Sequence, residues 1–124
     1  MKCSNAVYDF CINQGTDLTV PLVLTDATGE PVDLEGYTAA MQIRTLIDSM
    51  TAVDTLTTAN GRILLEATQG KLTLKFPNAV TEEYPAQNLF YDIEITSSGG
   101  EITRILQGKV SVSPEVTRVS GTDQ

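Results

Sequence analysis

Residues 91–118, YDIEITSSGGEITRILQGKVSVSPEVTR, decide the fold. Leu89, Tyr91, Ile93 and Ile95 alternate with Phe90, Asp92, Glu94 and Thr96, the period of a strand with one buried face. Ser97-Ser98-Gly99-Gly100 then offers a tight reversal, because glycine takes positive φ at little cost. With Ser98 and Gly99 at the loop tip, Ser97 lies opposite Gly100, Ile95 opposite Ile102, Ile93 opposite Arg104 and Tyr91 opposite Leu106. That register makes one hairpin face apolar, with Arg104 as its exception. The return strand passes Val110 and Val112 and ends at Pro114, which cannot donate to a ladder.

The same alternation continues upstream. Tyr8, Phe10 and Ile12 alternate with Asp9 and Cys11, which predicts a first short strand with these apolar residues facing the core. Leu18, Val20, Leu22 and Leu24 share a face of the second strand, and Pro21 on the opposite face marks it as an edge strand or a bulge. Ala39, Met41 and Ile43 define a third. Asn60-Gly61 predicts a type I′ hairpin between DTLTTA and RILLEA, and Thr68-Gln69-Gly70 a further reversal before Leu72, Leu74 and Phe76. A helical turn fits Val80 to Tyr84, and the passage from Tyr84 to Tyr91 has the look of a connection between sheets, with Tyr91 available to bridge it. The count is seven to eight short strands and no long amphipathic helix, which predicts an all-β antiparallel sandwich. One domain over residues 1–119 with a free tail at 120–124 follows from the length.

A net charge of −8 argues against nucleic-acid binding through phosphates. The acidity is uneven, −6 over residues 1–58 and −2 over residues 59–124. Cys3 and Cys11 would stand roughly 26 Å apart along one extended strand, so both are expected as free thiols. No apolar run is long enough to cross a bilayer, and MKCSNAVYDF lacks the core of a secretion signal, so folding in a reducing compartment is expected.

The chain has no histidine, which removes the commonest general base and metal ligand. It also lacks a phosphate-binding glycine loop and a dinucleotide fingerprint. The residual chemical candidate is a calcium or carboxylate site in Asp26, Glu30, Asp33 and Glu35, whose spacing does not match an EF-hand and which turns explain equally well. No enzyme activity, cofactor, metal or small-molecule substrate is expected. The remaining candidates are surfaces: Pro21 on its edge, Phe90 on the outer face of its strand beside Asp92 and Glu94, Tyr8 and Phe10 as core or arm, and Glu115 and Arg118 in the outgoing segment.

YDFCINQGTDLTVPLVLTDATGEPVDLEGYTAAMQIR, then LTTANGRI, GKLTLKF and FYDIEITSSGGEITRILQGKVSVSPEVTR, taken in order, resemble the small β-sandwich virion proteins of tailed bacteriophages. That group is similar to the collar protein that anchors L-shaped tail fibres and, more distantly, to the N-terminal domain of baseplate proteins carrying receptor-binding modules. The resemblance implies an immunoglobulin-like sandwich in a virion, assembled in the host cytoplasm. Its expected role is an adaptor of tail, neck or collar that forms a homo-oligomer and docks a fibre, baseplate or tail protein. The alternatives are a capsid decoration or head-associated protein and a host-surface module binding carbohydrate or calcium.

Overall fold

The computed structural model describes residues 6–117. Nine strands form two packed sheets. The larger contains β1 (Ala6–Val7), β2 (Phe10–Asn13), β4 (Thr38–Arg44), β5 (Asp54–Thr57), β8 (Asn88–Thr96) and β9 (Ile102–Ser113). Its order is β1-β9-β8-β4-β5, with β2 continuing the line of β1 along β9. The smaller sheet is β3 (Leu18–Val23), β7 (Lys71–Phe76) and β6 (Ile63–Glu66), in the order β3-β7-β6. A short helix, α1 (Asn78–Thr81), lies between β7 and β8. The fold is an all-β immunoglobulin-like sandwich, antiparallel except where β1 and β2 run parallel to β9.

Alternation places the core as expected. Met41, Ile43, Leu56, Leu89, Ile93 and Val110 from the large sheet are buried against Leu72, Leu74, Phe76 and Ile63 from the small one. Each strand contributes every second residue to this layer, so outer residues form a separate, patterned surface.

The hairpin differs from the expected register by one residue next to its loop and by two beyond a bulge. Ser97 N–H bonds Glu101 O and Gly100 N–H bonds Ser97 O, each at 2.9 Å, so the loop is Ser98-Gly99-Gly100 with Gly100 at φ +90°. A three-residue loop closed by a left-handed glycine pairs Thr96 with Ile102, Ile95 with Thr103 and Glu94 with Arg104. One residue of slip moves every side chain to the other face. Arg104 is therefore not an exception on an apolar face; it lies outside, beside Glu94, and Ile102 is 63% exposed. A bulge follows between Ile93 and Glu94, after which Ile93 pairs Leu106 and Tyr91 pairs Gly108. The extra residue, Ile105, restores the inward phase of Val110 and Val112.

The Asn60-Gly61 turn is also not a hairpin. β5 pairs β4 in the large sheet and β6 pairs β7 in the small one, so this turn carries the chain across the sandwich. Asn60 makes the crossing as a local cap: its Oδ1 accepts from Thr57 and Arg62 N–H, and its Nδ2 donates to Thr55 O. Pro21 does lie on an edge, exposed on β3. The reversal at Gly70 and the inter-sheet passage from Tyr84 to Tyr91 follow expectation. Arg118, Cys3 and the 120–124 tail lie outside the described residues; Cys11 is a free, exposed thiol.

Candidate functional site

The outer face of β9-β8-β4-β5 is concave and holds a groove of about 830 Å³. Its floor is built in cross-strand rows. Arg44 on β4 stands opposite Phe90 on β8, which stands opposite Lys109 on β9. The next row runs Thr55, Gln42, Asp92, Gln107, and the third Thr57, Ala40, Glu94, Arg104. These residues face out because Ala39, Met41, Ile43, Tyr91 and Ile93 between them face in.

The loop from Thr45 to Val53 forms one lip. It is an ordered turn: Arg44 Nη1 donates to Ser49 O at 2.7 Å, Ser49 N–H to Leu46 O at 3.0 Å and Val53 N–H to Ile43 O at 2.6 Å. This frame holds Leu46, Ile47 and Met50 in solvent at 61%, 79% and 94% exposure, and Ile47 lines the groove. On the opposite lip Asp9 Oδ1 accepts from Lys109 N–H at 2.8 Å, and Val7 is exposed. The approach is close because Gly108 has no side chain: a Cβ there would stand 2.1 Å from Tyr8 O.

A second polar cluster lies where the β5 edge of the large sheet meets the small sheet. Tyr84 donates its hydroxyl to Asp54 Oδ2, and Arg62 holds the same carboxylate through both terminal nitrogens, at 3.3 and 2.7 Å. Arg62 Nε also donates to Lys75 O at 2.8 Å. Asp54 belongs to the large sheet and Lys75 to the small one, so the cluster ties the two together. Burial, and then the neighbouring Asp54 carboxylate, push the Tyr84 hydroxyl far above the ordinary tyrosine range. Burial works against the Arg62 cation, but Asp54 more than offsets it and leaves its pKa raised.

Tyr84, then, bridges the sheets where Tyr91 was expected to. The Tyr91 hydroxyl instead donates to Tyr8 O and pins the break between β1 and β2. Burial, then the Asp9 charge and Tyr8, raise its pKa as well.

The sequence candidates separate. Phe90 lies half-buried in the groove, on the outer face where alternation put it. Phe10 is not a free arm: its ring meets Tyr91 and Phe76 at 5.5 and 5.9 Å, and Tyr8, 44% exposed, stacks on it at 5.7 Å. Glu115 is tied down, its N–H bonding Gln14 Oε1 at 2.9 Å and its carboxylate lying over Gly15. Two of the four carboxylates of the calcium candidate, Asp26 and Asp33, accept hydrogen bonds within their own turns. Asp26 Oδ1 accepts from the Thr28 hydroxyl and from the N–H groups of Glu30 and Thr28, which hold its pKa below the ordinary value. Asp33 Oδ1 accepts from Glu35 N–H. Among the described residues no three Cys, Asp or Glu side chains gather closely enough to hold a metal ion. Arg44, Gln42, Thr55, Gln107 and Lys109 were not read from the sequence; each is an outward position on a strand, and their meeting depends on strand order.

No protein-family model matches the chain, and no curated protein matches it. Among solved structures it is similar to the crystal structure of CopC from Methylosinus trichosporium OB3b, at 15% identity and a TM-score of 0.47 over 94% of this chain and 91% of that one. A likeness at that score carries no ligand or role from CopC to this chain. The comparison with CopC gives the expected virion adaptor in tail, neck or collar no support, and that expectation is withdrawn. The alternatives, a capsid decoration or head-associated protein and a carbohydrate- or calcium-binding module, gain no better support.

Proposed function

We propose that the chain is a non-enzymatic binding module that seats a partner polypeptide in the groove on the outer face of the large sheet. The observation that carries this reading is the pairing of a concave floor centred on Phe90 with an ordered lip that holds Leu46, Ile47 and Met50 in water. Apolar area covered by a partner contributes about 25 cal/mol per Å², and a contiguous exposed apolar patch marks an interaction surface. An aromatic anchor in a concavity, rimmed by polar side chains, is the usual anatomy of a binding hot spot. The absence of enzymatic chemistry in this reading rests on the side chains. There is no histidine, and the hydroxyls of Tyr84 and Tyr91 are committed to Asp54 and Tyr8 and held protonated at neutral pH.

Panning a random peptide library on the immobilised protein tests the reading. The account expects saturable binders whose affinity falls roughly tenfold or more on Phe90→Ala or Ile47→Asp. Circular dichroism should show both variants folded. Binders indifferent to both substitutions, or no saturable binder at all, would overturn it.

A further inference from the structure

We infer that the groove selects an acidic partner segment, an extended stretch carrying Asp or Glu beside an apolar side chain; this rests on the docking reading above. Arg44 and Lys109 flank Phe90 in one cross-strand row. With neighbouring strands about 4.8 Å apart, the two cationic residues stand roughly 10 Å from each other across the aromatic ring. The nearby carboxylates already face donors. Asp9 accepts from Lys109 N–H at 2.8 Å, Asp92 pairs with Arg104 at 3.3 Å, and Glu94 stands opposite Arg104. The Lys109 ammonium enters no ion pair among the described residues. Arg44 gives one N–H to Ser49 O and one to Gln42 Oε1, which leaves further guanidinium donors to offer.

A carboxylate laid along this row gains charge-assisted hydrogen bonds from both ends, while its apolar neighbour covers Phe90 and Ile47. The chain as a whole carries −8, but charges beyond roughly 8 Å are screened at physiological salt, so a bound segment meets the groove lining, Arg44, Arg104 and Lys109 beside Asp9, Asp92 and Glu94, and not the total. An anionic membrane is a poorer occupant. Asp48 sits at the loop tip between Ile47 and Ser49, and Asp92 and Glu94 share the face, so a continuous layer of negative headgroups would press on them as well.

The test sequences the peptides enriched on the wild-type protein and measures their affinity for Lys109→Glu and Phe90→Ala at low and physiological salt. Lys109 is exposed, so its reversal leaves the fold intact. Enriched peptides are expected to carry Asp or Glu next to Leu, Ile or Phe, to weaken with added salt, and to lose roughly tenfold in affinity on Lys109→Glu. Neutral or basic binders that ignore Lys109→Glu but are lost on Phe90→Ala would reject acidic selectivity and leave the docking reading standing. Binders that ignore Phe90→Ala as well would remove both. Phosphatidylserine vesicles binding the wild type, or a dimer in sedimentation that Phe90→Ala dissolves, would each name a different occupant and overturn the inference.

Discussion

Two clusters in this sandwich each set an aromatic ring beside a guanidinium, and they do opposite things. Asp54, Arg62 and Tyr84 are sheltered, and their side-chain hydrogen bonds are directed at one another, at Lys75 O and at Thr55 N–H. Arg44, Phe90 and Lys109 lie open on a concave face, with bonding capacity still to offer. A closed cluster is costly to break, because removing one partner leaves a largely sheltered charge without its counter-charge. An open one adds little to stability and is available to a partner. The difference shows why charged and aromatic residues alone do not mark a site; what marks it is how many of their bonds the chain itself has used.

The comparison breaks first at Asp54. Asp54→Ala leaves Arg62 sheltered without its carboxylate and Tyr84 without its acceptor, and should cost about 3 kcal/mol in urea unfolding. Peptide affinity per folded molecule should not change. Tyr84→Phe keeps the Asp54–Arg62 pair and removes one hydrogen bond, for an expected loss of about 1–2 kcal/mol.

Alkaline unfolding sharpens the same contrast. Tyr84 and Tyr91 have pKa values raised in the folded state, so the folded chain holds protons that the unfolded chain gives up above its ordinary tyrosine pKa near 10. Stability from both groups is complete below about pH 10 and falls as pH rises beyond it, by about 1.4 kcal/mol per pH unit for each tyrosine still protonated. Tyr84→Phe should remove one tyrosine's share of that slope. At the small end, Lys109→Glu should move the unfolding free energy by less than about 0.5 kcal/mol. Its effect should appear in peptide binding instead.

Much of the fold was legible because alternation survives translation into any sandwich. Met41, Ile43, Leu89, Ile93 and Val110 face inward whichever strands they pair with. What was not legible is what depends on partner choice. Ser97-Ser98-Gly99-Gly100 supports a two- or a three-residue loop, and the glycine at φ +90° selects the longer one, which turns Arg104 outward. Asn60-Gly61 announces a turn but not which sheet the next strand joins. The groove was least legible of all: residues 44, 90 and 109 are brought together by strand order, and Phe90 alone gave a sequence signal as an aromatic at an outward position. The phage resemblance supplied a role that the comparison with solved structures did not sustain.

Backbone amide chemical-shift mapping of a peptide selected on the wild-type protein tests the central claim most directly. The account predicts shifts concentrated at Gln42, Arg44, Phe90, Asp92, Gln107 and Lys109, with Arg62, Tyr84 and the outer face of β3-β7-β6 unmoved. Shifts concentrated on that small-sheet face, around Pro21 and Thr73, would contradict it.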